Sequence, residues 1–282
     1  MLTSTFQLAP GVGPSRERQL WRRGIARWSD FPASPAVALS PAADARLRPA
    51  LAAAATALDR RDCQRLATLL PAGEHWRLFG VFGDDAAYLD IETGDDDWGR
   101  AGISAIGIWD ADGPHLLLGG GRDLDRFPSL ARRWSMLVTF NGLSFDVPVL
   151  QKAFPDWRPP AAHVDLRHVL ARLGHHGGLK AIERAIAVLN LRRPPHLAAI
   201  DGWAACHLYR RARHGDRRAL RLFAEYNLYD VINLRTLMAY AYNTLVSREA
   251  AKAPDLRDAA PALVVPARGD GLYDISKILL AL

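Results

Sequence analysis

The spacing of apolar and polar positions changes several times along the chain, and the changes divide it. Over the first 80 residues, stretches such as "PAADARLRPALAAAATALDRRDCQRLATLL" are rich in Ala and Arg and show no strand-like alternation, which predicts helices. From about Trp76 the character shifts. "WRLFGVFGDDAAYLDIET" and "GISAIGIWDADGPHLLLGG" are short apolar runs punctuated by Gly and Asp, the pattern of strands and hairpins. "SMLVTF" predicts another strand, ending at Asn141-Gly142, and "SFDVPVLQKAF" reads as the helix that follows. Beyond it, "HVDLRHVLARL", "LKAIERAIAVLNL" and the long run from Asp201 to Leu245 carry apolar residues at helical spacing. Helices, a three-strand meander, alternating helix and strand, then mostly helix: this order predicts an α/β class, a mixed sheet flanked by helices. Three segments follow: a helical region at 1–80, a sheet-bearing domain at 81–246 and a tail at 247–282. In the tail, Pro254, Pro261 and Pro266 break any period, and "LYDISKILLAL" reads as a docking helix.

One strand is unusual. In "AYLDIE" side chains alternate faces, so Leu89 and Ile91 point into the core while Asp90 and Glu92 share the opposite face. Adjacent carboxylates repel and resist desolvation, so one takes up a proton or both hold a hard divalent cation. The plain alternative is a strand end in solvent. Asp146 falls in the first turn of a helix after a strand and an Asn-Gly turn, where the helix dipole favours an acid. Tyr226 and Asp230, four apart in "AEYNLYDVINL", share one helix face.

Composition narrows the setting. The 282 residues are 49% hydrophobic and 23% charged, ordinary for a globular protein. No run of about 18 apolar residues occurs, so no membrane span is expected. The opening "MLTSTFQLAPGVG" lacks a charged n-region and a continuous apolar stretch, and does not read as a signal peptide. Cys63 and Cys206 lack ligand spacing and read as thiols in a reducing cytoplasm, the expected location. A net charge of +6 and a pI near 9.6 lean towards anionic partners. Arginines crowd "PSRERQLWRRGIAR", "LARRW" and "LYRRARHGDRRALR", each either a solvated helix face or a binding stripe. The acidic "GDDDWG" reads as a solvated hairpin loop, and the histidines of "GHHGG" as a flexible loop without zinc partners.

Strand D-x-E, then strand–turn–helix with Asp146, then a late helix with Tyr226 four before Asp230: together these resemble the DEDD exonucleases of the RNase H-like superfamily. The tyrosine, with Glu225 where a histidine would otherwise fall, resembles the DEDDy subdivision. "FNG…FD", Asp165-Leu166, "LK…ER" from Leu179 to Arg184 and "YN…DV" from Tyr226 to Val231 are similar to the YprB-type branch. The resemblance spans roughly Tyr88 to Leu245. It implies a five-stranded mixed sheet whose first three strands are antiparallel. It also implies two divalent ions, Mg²⁺ or Mn²⁺, held by Asp90, Glu92, Asp146 and Asp230, with Tyr226 orienting the attacking water or the scissile phosphate. The activity implied is 3′–5′ hydrolysis of single-stranded DNA or RNA ends, with no membrane partner. Asn141 and Ser144 are candidates for the substrate path, though a turn role is the simpler reading of both. Asp165 either reaches the rim of the site or caps the next helix.

The amino-terminal "LAPGVGPSRERQLWRRGIARW" adds a second motif. Gly11-Val12-Gly13 before an amphipathic helix, and Gly24-Ile25 expected to open another, resemble a helix–hairpin–helix element. Such elements offer backbone N–H groups to phosphate, and Arg16 and Arg22 would add attraction. The alternative is a helical hairpin packed on the main domain. The functions expected are thus an exonuclease, an endonuclease or structure-selective nuclease on the same fold, or a non-catalytic nucleic-acid binding protein.

Overall fold

The computed structural model describes residues 1–34, 39–94, 100–189, 191, 193–252 and 274–282. Five strands form one mixed sheet: β1 Ala86–Thr93, β2 Ile103–Asp110, β3 Gly113–Leu118, β4 Met136–Thr139 and β5 Ala162–Asp165, in the order β3-β2-β1-β4-β5. The first three run antiparallel as a meander, and β4 and β5 add in parallel to the other side of β1. The "GDDDWG" loop lies mostly outside the described residues.

Among the helices, α1 Pro14–Trp21, α2 Pro41–Asp59 and α3 Cys63–Leu69 precede the sheet. Within and after it come α4 Asp146–Ala153, α5 Leu166–Arg172, α6 Leu179–Ala185, α7 Gly202–Arg213, α8 Arg217–Ala250 and, at the end, α9 Ser276–Ala281. Aspartates start several of them. Asp165, Asp201 and Asp216 each accept a bond from a backbone N–H one turn inside α5, α7 and α8, satisfying donors that a helix start leaves unpaired.

Leu89 and Ile91 are buried on one face of β1 together with Ile106, Leu137, Phe127 and Trp157, as strand alternation requires. The other face, which carries Tyr88, Asp90 and Glu92, is covered by α8. That approach depends on Gly107, which pairs with Asp90 across the β1–β2 ladder. A Cβ at Gly107 would come 2.2 Å from Asn227 Oδ1 and 2.9 Å from Val231 Cγ2. Only a residue without a side chain lets α8 lie this close to the acids.

The amino-terminal helices share a core with the sheet. Leu20, Trp21, Leu47, Leu66 and Trp76 join Met136, Val164, Leu237 and Tyr242 in one buried cluster. The hairpin reading is altered here. Gly24, at φ +78°, closes α1: Gly24 N donates to Trp21 O and Ile25 N to Leu20 O, the bonds of a helix C-terminus. A short 3₁₀ turn at Trp28–Asp30 follows, and among the described residues the next α-helix starts at Pro41. At the other end, Ile275 and α9 pack against the side of α8, as a docking helix should. No helix among the described residues is long and apolar enough to cross a membrane.

Candidate active site

Asp90 and Glu92 leave β1 on the α8 side, and Asp230 faces them from α8. One carboxylate oxygen of each lies within 4.8 Å of the other two. They form the floor of a cleft of about 310 Å³, walled by Tyr226, Lys180, Asp201 and Gly202. Tyr226 stands one turn before Asp230 on the same helix face, so the i,i+4 spacing delivers both side chains together.

Asp146 sits at the start of α4, buried, and its Oδ1 accepts a 3.0 Å bond from Ile91 N. It therefore braces β1 between the two strand acids, adjoining the convergence of the other three. The turn that delivers it is built by Asp165, whose carboxylate accepts from Asn141 N (2.8 Å), Leu143 N (3.1 Å) and Arg167 N (3.0 Å). Asn141 takes φ +65°, and its Oδ1 accepts from Arg167 Nη1 at 2.7 Å. Both residues are committed to shaping the β4–α4 turn, and Asp165 caps α5. Ser144 is exposed on the same turn between the half-exposed Leu143 and Phe145. Arg16 folds back onto the Gly11 carbonyl, Arg22 is exposed at the end of α1, and neither lines the cleft.

Five further residues surround these acids. Asn227 Nδ2 donates to Asp90 Oδ2 at 2.9 Å and fixes that carboxylate. Lys180 Nζ lies 4.2 Å from the Tyr226 ring centre and donates to its hydroxyl at 3.0 Å. Arg193 donates to Asp230 and, through Nε and Nη2, to Glu183 at 3.1 and 2.9 Å. Asn233 Nδ2 adds a 2.9 Å bond to Glu183. The sequence carried no separate signal for Arg193. Lys180, Glu183 and Asn227 lay inside the quoted "LK…ER" and "YN…DV" strings, with no role attached to them.

The electrostatics are unbalanced. Burial, then the neighbouring Asp230, Glu92 and Asp146, raise Asp90 far above the usual carboxylate range. Burial and Asp230 push Glu92 up to about 8, against the pull of Lys180. Burial lifts Asp146 to about 7, although backbone N–H groups bond it. Burial also raises Asp230, opposed by Arg193. Among the described residues two cations, Lys180 and Arg193, thus leave the carboxylates undercompensated, and crowded hard oxygen donors of this kind suit a divalent metal ion. Burial, then Asp230, Glu92 and Asp90, push Tyr226 above its ordinary range, so it stays a neutral phenol.

A family model for the RNase H superfamily matches residues 87–242, from the second residue of β1 to the last third of α8. The chain belongs to the RNase H superfamily. No curated protein and no solved structure shows significant similarity to it. The RNase H domain thus brackets Asp90, Glu92, Asp146 and Asp230, and membership points to nuclease-type hydrolysis of nucleic acid; among the described residues, Asp90, Glu92 and Asp230 form a carboxylate cluster that could hold a metal ion.

Proposed function

We propose that this chain is a metal-dependent 3′–5′ exonuclease of the DEDDy type, close to the YprB-type branch, acting on single-stranded DNA or RNA ends. The observation that carries the reading is the convergence of Asp90, Glu92 and Asp230 with Tyr226 one helical turn from Asp230. When bound, a pair of Mg²⁺ or Mn²⁺ ions would supply Lewis acidity and an activated water for phosphodiester hydrolysis. Asp90, Glu92 and Asp230 would hold them, with Asp146 supporting the second from the start of α4.

The chain's own residues prepare the rest. Asn227 keeps Asp90 in one orientation, and Arg193 does the same for Asp230. Lys180 fixes the Tyr226 hydroxyl as an acceptor, which turns its O–H outward to donate to the attacking water or a phosphate oxygen. A phenol whose proton is held this firmly acts by position and not as a standing base.

The test is incubation of a 5′-labelled single-stranded oligonucleotide with and without Mg²⁺ or Mn²⁺, beside Asp90→Ala and Tyr226→Phe. A ladder shortening from the 3′ end, abolished by EDTA and by Asp90→Ala, is expected. Cleavage of an oligonucleotide with a blocked 3′ end would indicate an endonuclease instead. Metal-independent binding with no hydrolysis would indicate a non-catalytic binding protein.

A further inference from the structure

We propose that the exposed stripe of α7 and the arginine-rich turn into α8 form the track along which a single strand leaves the acidic cleft, with Trp203 stacking on an unpaired base and the arginines gripping phosphates. The inference rests on the nuclease reading above and extends it to the path of the substrate.

Asp201 and Gly202 wall the cleft beside Asp90, Glu92, Tyr226 and Asp230. The next residue, Trp203, is 75% exposed. A bare indole in water is unfavourable unless something covers it, and this one stands one peptide from the cleft wall. Its ring lies 4.1 Å from that of His207 with planes at 68°, which steadies the indole on the helix surface.

The stripe continues at helical spacing. Trp203, His207, Arg210 and His214 are all exposed, each three or four residues from the last, while Ala205 and Tyr209 turn inward. Tyr209 meets Phe223 of α8 at 4.9 Å, so α7 and α8 form an antiparallel hairpin. In that arrangement Trp203 comes level with the stretch of α8 that carries Tyr226 and Asp230. The turn at His214–Gly215 lies at the far end, about 18 Å away for twelve residues of helix.

Charge along this hairpin is one-sided. From Gly202 to Arg221 the sequence contains six arginines and a single acid, Asp216. Asp216 caps α8 and pairs with Arg211 at 3.0 Å through Nε. All six arginines are exposed. A row of cations starting beside an aromatic platform matches a single strand, whose phosphates are regularly spaced and whose bases are free to stack. A duplex offers no unstacked face to Trp203. Stacking of this kind is indifferent to base identity, so sequence-independent binding is expected.

The experiment uses the full chain with Ca²⁺ in place of Mg²⁺ to slow turnover, and measures binding of a fluorescent single-stranded oligonucleotide by anisotropy over a range of salt. Trp203→Ala should weaken binding roughly tenfold or more with the salt slope kept, and Trp203→Phe should restore most of the loss. A triple variant, Arg210→Ser with Arg218→Ser and Arg221→Ser, should lower the slope of log affinity against log salt by about 2. Neither change should affect hydrolysis of thymidine 5′-monophosphate p-nitrophenyl ester, which presents only the reacting group. Wild-type affinity and slope in both variants would overturn the track, even with the oligonucleotide cleaved. Weaker binding of a duplex alone would overturn the single-strand assignment. If wild-type protein cleaves neither substrate but the variants bind the oligonucleotide less tightly, the track stands and the nuclease reading fails.

Discussion

Two groups of buried charge lie on the same side of the sheet, and they are completed in opposite ways. In the amino-terminal region, Glu17 accepts from Thr5 Oγ1, Phe6 N, Gln7 Nε2 and Arg77 Nη2, all between 2.7 and 2.9 Å. Arg77 also donates to Glu74 at 2.6 Å, and Arg172 reaches the other Glu74 oxygen at 3.1 Å. Burial alone would favour losing the Arg77 proton, but Glu17 and Glu74 more than offset it and hold the guanidinium charged. In the cleft, the acids outnumber the cations and burial drives Asp90, Glu92 and Asp146 towards their neutral forms. In the first cluster the buried charges are matched by the protein itself, with Arg77 Nη1 alone left without a hydrogen-bond partner among the described residues, and the pairs tie the amino-terminal helices to the domain. The second is left in deficit, and a deficit of that kind marks a place where a charged ligand completes the structure.

The largest effect that would sharpen this contrast comes from Asp90→Asn. It should reduce hydrolysis by on the order of 10³-fold or more, because it removes a carboxylate that would hold the metal ions on which hydrolysis depends. The same change should raise the melting temperature of the metal-free protein, since it relieves repulsion in a buried group. A metal-free Asp90→Asn protein that melts below the wild type would break the comparison.

Next in size is Arg77→Ala. Removing the buried guanidinium leaves Glu17 and Glu74 with their remaining donors but without their shared buried cation, and should cost about 3–5 kcal/mol by urea unfolding. A cost under about 1 kcal/mol would mean the network is not holding the two regions together.

A smaller effect links pH to metal. Glu92, raised to about 8, and Asp146, raised to about 7, hold protons in the folded metal-free protein that the unfolded chain has already released. Their stabilising contribution is complete below the unfolded carboxylate range and is lost as pH rises through 7 to 8. Divalent ions displace those protons, so the gain in melting temperature on adding Mg²⁺ should grow between about pH 5.5 and about pH 8. Thermal melts with and without Mg²⁺ read this directly, and a gain that shrinks with rising pH would contradict it.

The smallest effect is a control on the surface. Arg126 and Asp123 pair at 2.8 Å with both side chains substantially exposed. Arg126→Ala should shift stability by no more than about 1 kcal/mol. A larger loss there would show that buried and exposed pairs do not separate in this protein as argued.

Much of the fold was open to reading because its signals are local. The meander, the strand before Asn141-Gly142 and the long carboxy-terminal helix each announce themselves within a dozen or so residues. Gly24 shows where local reading is ambiguous. A glycine next to a helix serves a start or an end, and only the bonds from Gly24 N and Ile25 N back into α1 decide between them. Asp165 was similarly divided between cap and rim, and three backbone N–H groups claim its carboxylate.

By itself, then, the sequence determined which acids share a face. A period of two puts Asp90 and Glu92 on one side of a strand, and a spacing of four puts Tyr226 and Asp230 on one side of a helix. What meets those faces was decided by tertiary structure alone. Lys180 is 46 residues from Tyr226, Arg193 is 37 from Asp230, and Asn227 is 137 from Asp90. No local period encodes contacts at such separations. They follow from how closely α8 can approach β1, which the missing side chain of Gly107 permits, and from the closed chain path that brings α6 and the Arg193 segment over the same opening.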